Sequence, residues 1–129
     1  MNNYPKVTVI MSVFNNEKTI ASSIESILSQ TYENISILVL DDASTDGTLQ
    51  ILKNFEKENL NIKILENNIN LGLTKSLNIL IKTCNSDYIA RHDGDDVSHP
   101  RRIEIQMKEI IKYDLDFASS RAISFDAKR

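Results

Sequence analysis

The sequence predicts an α/β fold: an open, doubly wound, mostly parallel sheet with helices on both faces. Short apolar runs rich in Val and Ile alternate with segments whose apolar residues return at helical spacing. The first two runs are nearly continuous rather than alternating, which suits strands covered on both faces. Two acidic loops, Asp41 to Thr48 and His92 to Asp96, each follow an apolar run, where open α/β sheets bind their ligands.

The elements follow in order. Val7–Met11 reads as the first strand, and Ile20, Ile24, Ile27 and Leu28 then fall at i, i+4, i+7 and i+8 on one face of a helix. Ile35–Leu40 is the second strand. A helix from about Asp46 to Phe55 carries Leu49, Ile51, Leu52 and Phe55, with Ser44 or Thr45 as its cap and Asp46 favourable in its first turn. Ile62–Leu65 is the third strand, and Leu73, Leu77, Leu80 and Ile81 mark the next helix. Tyr88–Ala90 is the fourth strand. Pro100 sits at the first-turn position of a last helix, which buries Ile103, Met107, Ile110 and Ile111, and a weak strand is expected near Phe117 and Ala118. The alternation βαβαβαβα argues for right-handed crossovers in one sheet.

At 129 residues, 41% hydrophobic and 26% charged, the chain has the length of one domain and an ordinary globular balance. The net charge is −3 and the basic residues are scattered, which argues against a nucleic-acid groove. A single cysteine, Cys84, allows neither an internal disulfide nor a Cys-rich zinc site. No apolar run approaches the roughly 20 residues of a spanning helix, and the amino terminus lacks the pattern of a signal peptide. A cytoplasmic location is expected, possible also at the inner face of a membrane.

The loops carry the chemistry. Asp42, Ser44, Asp46 and Gly47 match the opening positions of a calcium loop, but Lys53 stands where a bidentate Glu belongs, and a strand precedes the loop instead of a helix. That reading fails. A plain turn would account for either acidic loop alone. Their joint occurrence asks for a cation or a hydrogen-bond network to offset the clustered charge.

Val7 to Asn15, Ile24 to Tyr32, Asp41 to Thr48, Asn70 to Asn78 and Tyr88 to Asp96, with Pro100 and Arg102 after them, together resemble the amino-terminal half of family 2 glycosyltransferases. The resemblance covers essentially the whole chain. It implies a GT-A fold, whose Rossmann-like first half binds a nucleotide-sugar donor, a UDP-sugar foremost. Asp93-Gly94-Asp95 resembles the family's Asp-x-Asp motif, in which Asp95, with Asp93, would hold Mg²⁺ or Mn²⁺ against the donor diphosphate. Asp42 would accept a hydrogen bond from the base, and Ser12, Phe14 and Asn15 would flank the nucleoside. Glu17 near the base and Lys75 near the diphosphate are further candidates. Phe14 stands where the family often has Tyr, which keeps stacking and loses a phenolic hydrogen bond.

The chemistry of the residues agrees. A carboxylate and a diphosphate repel unless a hard cation lies between them, and oxygen ligands select Mg²⁺ or Mn²⁺. His92 and His99 are therefore expected as loop residues rather than ligands, and Arg91, Arg101 and Arg102 as solvated charges. The resemblance further implies inversion, a carbohydrate or lipid-linked acceptor, and a role in surface-polysaccharide assembly. It also implies that the acceptor-binding half and the general base lie beyond residue 129, so the chain would be the donor-binding domain alone, with exposed apolar surface open to self-association. A nucleotidyltransferase and a non-catalytic nucleotide- or metal-binding module are the alternatives. The first would want a Gly-rich basic loop after the first strand, and Ser12 to Asn16 offer none.

Overall fold

The computed structural model describes residues 4–121. Four strands, β1 (Val7–Val13), β2 (Ile35–Asp41), β3 (Ile62–Glu66) and β4 (Tyr88–Arg91), form one sheet in the order β3-β2-β1-β4. Every pairing is parallel. Between and after them lie α1 (Ile20–Leu28), α2 (Thr48–Glu58), α3 (Leu73–Thr83) and α4 (Arg102–Tyr113).

Burial explains the strand order. β1 and β2 are buried along almost their whole length and take the two central places, whereas β3 and β4 alternate and take the edges. On one face Val9, Met11, Val13, Ile37 and Val39 pack against Ile20, Ile24 and Ile27 of α1 and Leu52 of α2. On the other, Ile10, Leu38 and Leu40 pack against Leu80 of α3. The division follows from handedness: right-handed connections that step from β1 to β2 to β3 keep their helices on one face, and the return past β1 to β4 must use the other.

The edges differ. On β3 the amide of Ile64 donates to Glu56 Oε2 at 2.7 Å and Glu66 pairs with Lys53 at 3.3 Å, so side chains cover an edge that would otherwise invite another strand. At β4 the apolar Ile89 is exposed, and a cavity of about 420 Å³ runs between this strand, α4 and residues 116–120.

Several expectations need correction. Leu73 and Ile81 of α3 and Ile111 of α4, assigned to apolar stripes, are exposed, because the buried arc of α3 is centred on Ser76 and Leu80 and that of α4 on Ile103, Met107 and Ile110. No strand forms at Phe117 and Ala118: Ala118 packs against a small cluster of Val7, Tyr32, Ile103, Met107 and Ile110, while Phe117 stays exposed without a neighbouring strand to pair with. Neither Ser44 nor Thr45 caps α2. The helix starts two residues later than expected, at Thr48 after Gly47, because Asp46 accepts the Thr48 amide (2.9 Å) and hydroxyl and so turns the chain. Pro100 lies two residues before α4, in a turn that the Arg102 amide closes on the His99 carbonyl at 3.0 Å.

The start of α4 is tied to the connection between α1 and β2 by Glu104, which accepts from the Thr31 hydroxyl at 2.8 Å and from Arg101 at 3.1 Å and pairs with Lys108 at 3.2 Å. These bonds, Thr31 first, hold its carboxyl down at about 2 against an ordinary 4.5. Because the folded value is depressed, its contribution to stability is complete above about 4.5 and lost as pH falls through about 2. Carboxyl-detected NMR titration is expected to find that low midpoint and to see it rise in Thr31→Val; an ordinary midpoint in the unsubstituted chain would show that these bonds do not persist in solution.

Candidate functional site

All four strands end on the same side, and the chain reverses its direction across the sheet between β1 and β4, the switch point where such sheets open a crevice. Both acidic loops start there. β2 and β4 flank β1; the Asp42 amide donates to the Val13 carbonyl at 2.9 Å, and the His92 amide to the Ile10 carbonyl at 3.1 Å. The ladder thus delivers each loop to the end of the same central strand.

The first loop is held by its own chain. Asp42 is buried, and its Oδ1 accepts from Asn67 Nδ2 (2.8 Å) and the Leu71 amide (2.8 Å) while Oδ2 accepts from the Gly72 amide (2.9 Å). Burial alone would raise its pKa, but the bonds from Asn67, Leu71, Gly72 and Ser76 outweigh that and keep the carboxyl below the usual carboxylate range. Most of its acceptor capacity is thus spent within the chain. Gly72 makes this possible: its φ of +86° with ψ 166° is a conformation open essentially to glycine, and it points the amide at Asp42 as α3 begins. Asp41, beside it, is also buried, with Oδ2 bound to the Ser44 amide at 3.1 Å and Oδ1 without a partner.

The connection from β1 to α1 lies between the two loops. Asn15 adopts φ 51°, and Ala43 across from it φ 63°, a left-handed conformation unfavourable for alanine and frequent at functional turns. The Asn15 amide donates to Ser44 Oγ at 2.9 Å, its Oδ1 accepts the Thr45 amide at 2.8 Å, and Glu17 Oε2 accepts the Gly47 amide at 2.8 Å. Both residues therefore brace the first loop. Ser12 is half-buried near the end of β1, Phe14 is 46% exposed just beyond it, and Lys75 stands exposed in the first turn of α3.

In the second loop, carboxylate oxygens of Asp93, Asp95 and Asp96 lie within 4.8 Å of one another. All three residues are exposed, and Arg91 pairs with Asp93 at 3.6 Å. An all-oxygen set this tight suits a hard divalent cation and no soft one. Gly94 between them is buried, and a Cβ there would come within 2.9 Å of Val13 Cγ1 and 3.0 Å of Asn16 Oδ1, so the loop lies close against β1 and its connection.

His92 stays out of the cluster. It is buried, and its Nδ1 donates to the Asp93 carbonyl at 2.9 Å. Burial first, and then the nearby Arg102 charge, lower its pKa and keep it neutral at pH 7. His99 accepts the Arg101 amide at 3.1 Å through Nδ1. Of the three arginines, Arg102 departs from expectation: it is half-buried, donating to the Arg91 carbonyl (3.0 Å) and Ser98 Oγ (3.2 Å), because the chain turns back over it to start α4.

The described cavities lie elsewhere. One of about 580 Å³ sits at the opposite, amino-terminal end of the strands, between Tyr4, Asp87 and Asp114, and the second is the groove beside β4. Residues the sequence reading did not single out are Asp96, Asn16, Thr19 and Ser23. Asp96 was visible as one more acid in the same run. Asn16, whose amide donates to Thr48 Oγ1 at 2.8 Å and whose side chain abuts Gly94, links the two loops through contacts that no local pattern announces.

Residues 8–129 match the family model described as Glycosyl transferase family 2. The chain belongs to that family. Among its relatives, EpsE of Bacillus subtilis (strain 168), provisionally named a glycosyltransferase, is 50% identical over 88% of this chain and 41% of its own length. The Escherichia coli WfgD, named a UDP-Glc:alpha-D-GlcNAc-diphosphoundecaprenol beta-1,3-glucosyltransferase, is 36% identical over 86% of this chain and 43% of its own. The structure of S. aureus TarS 1-349 in complex with UDP-GlcNAc superposes with a TM-score of 0.78 at 28% identity, covering 84% of this chain and 32% of that one. The family 2 fold expected from sequence is thus the observed one, and the chain spans less than half the length of these relatives. No helix among the described residues is long and apolar enough to cross a membrane.

Proposed function

We propose that this chain is the donor-binding domain of a metal-dependent, inverting glycosyltransferase that takes its sugar from a nucleoside diphosphate sugar, a UDP-sugar foremost. The observation that carries the reading is the tight group of Asp93, Asp95 and Asp96 at the switch point, one strand away from Asp42. Three exposed carboxylates repel an anionic diphosphate, so they serve a phosphorylated ligand only with a divalent cation, Mn²⁺ or Mg²⁺, held among them. Neutralising the charge of the departing nucleoside diphosphate is the chemistry such a cation supplies.

The chain's own residues do the rest. Asp42 is the acceptor for an N–H of the base, and Phe14, exposed at the end of β1, offers a ring to stack on it. Ser12 and Asn15 flank the nucleoside, with Glu17 holding the loop beneath, and Lys75 provides a positive charge toward the diphosphate. The uridine preference draws on TarS, whose complex holds UDP-GlcNAc. The name of WfgD supplies a lipid-linked acceptor, which fits surface-polysaccharide assembly at the inner face of a membrane.

Calorimetric titration with UDP, GDP and TDP, with and without Mn²⁺, tests the reading. UDP is expected to bind only when Mn²⁺ or Mg²⁺ is present. Equal binding in its absence would remove the metal from the proposal, and no binding of any nucleotide in either condition would remove the donor.

A further inference from the structure

Helix α1 and the residues at its two ends carry two stripes. Ile20, Ile24 and Ile27 face the sheet, and one residue out of phase with them run Thr19 at the N-cap, Ser23 and Ser26 in the helix and Gln30 just past its end, at i, i+4, i+7 and i+11. These four side chains meet the segment from Asp93 to Ile103 at successive points. The Thr19 hydroxyl donates to the Gly94 carbonyl at 2.9 Å and the Ser23 hydroxyl to the Asp93 carbonyl at 2.9 Å. Ser26 Oγ accepts the Ser98 amide at 3.0 Å. Gln30 donates to the His99 carbonyl at 2.8 Å and accepts the Ile103 amide at 3.0 Å.

We propose that this polar stripe of α1 is the positioning device for the cation-holding loop, with Thr19 and Ser23 setting the geometry of its carboxylates. The inference rests on the donor-binding reading above. Three like charges within 4.8 Å push apart, and residues 92–101 have no helix or strand of their own to resist. Beside the His92 Nδ1 and the Asp96 amide, which also donate to the Asp93 carbonyl (2.9 and 3.1 Å), and the Arg91–Asp93 ion pair, what resists is the pair of hydroxyls on consecutive carbonyls. By anchoring the peptide units of Asp93 and Gly94, they orient the backbone that carries the Asp93 and Asp95 side chains, and holding a first ring of ligands in place is what such outer partners do in metal sites. Both are positioning residues, since neither places an atom in the cluster.

The competing reading is that the hydroxyls only satisfy backbone carbonyls and contribute stability. Thr19→Val and Ser23→Ala, singly and together, remove the donors with little change of shape. Ile27→Val, in the apolar stripe of the same helix, is the control for stability loss. Mn²⁺ affinity is read by electron paramagnetic resonance of free Mn²⁺, with the ion alone and with UDP, beside thermal melting. The double variant is expected to bind Mn²⁺ about 10- to 100-fold more weakly, by analogy with outer-shell partners elsewhere. Ile27→Val is expected to bind within about twofold of the parent at a comparable loss in melting temperature, and Thr19→Ser, which keeps the hydroxyl, to bind as the parent does. A double variant that binds like the parent, or a control that weakens equally, overturns the inference and leaves the donor-binding reading standing. A parent chain that binds no Mn²⁺ with UDP overturns both.

Discussion

Asp42→Ala is expected to cost about 3 kcal/mol of stability in chemical denaturation, since it strands the Leu71 and Gly72 amides and the Asn67 side chain, all donors to a charged acceptor. The Gly72 amide is among the stranded donors at a residue whose φ of +86° only glycine takes readily. Asp42→Asn is expected to cost roughly half as much: its one oxygen still serves two donors, while the new NH₂ opposes the third. The pH dependence has a definite sign. The folded pKa of Asp42 lies below the ordinary 3.8, so its contribution is complete above about that value and lost as pH falls through the lower folded one. Acid unfolding should therefore be less steep in Asp42→Ala. A loss under about 1 kcal/mol would mean that water replaces the carboxylate freely and that the residue does not organise the start of α3.

Asp95→Ala is expected to behave in the opposite way. Removing one of three carboxylates that repel each other on an exposed loop should leave the melting temperature unchanged or slightly raised, while Mn²⁺-dependent binding of UDP weakens by at least about 100-fold, or about 2.8 kcal/mol. Mg²⁺ and Mn²⁺ joined to phosphates lean on only one or two carboxylates, so losing one is severe. Asp95→Asn keeps an oxygen but not the charge, and should bind nearly as poorly. Were UDP to bind the Asp95→Ala protein with unaltered affinity, the acidic group would be a charged turn and nothing more. Together the two outcomes would separate an acid that organises the fold from one that holds a ligand.

Much of the fold was legible in the residues. Continuous apolar runs can only be buried on both sides, so Val7–Met11 and Ile35–Leu40 announced central strands, and the four helical stripes announced their cover except at Leu73, Ile81 and Ile111, which stay exposed. Element ends were not. β1 and β2 run to Val13 and Asp41 because ladder bonds to neighbouring strands continue past the apolar residues, and α2 waits for Asp46 to turn the chain. The expected strand at Phe117 failed for a related reason, a strand being defined by its partner.

At the site, residue type and order along the chain were enough to point to the two acidic loops and to the family, because a carboxylate's chemistry and a loop's place after a strand are local properties. Which acid is spent on the fold and which stays exposed was decided only in three dimensions. Asp42 is occupied by amides about thirty positions away, Asn15 and Glu17 by a loop equally distant, and the carbonyls of Asp93 and Gly94 by hydroxyls some seventy positions earlier. Hydrogen bonds between such remote partners depend on which strands lie side by side and, for Asp93 and Gly94, on the crossing of β1 by the returning chain, and no spacing within a single segment records where these bring them.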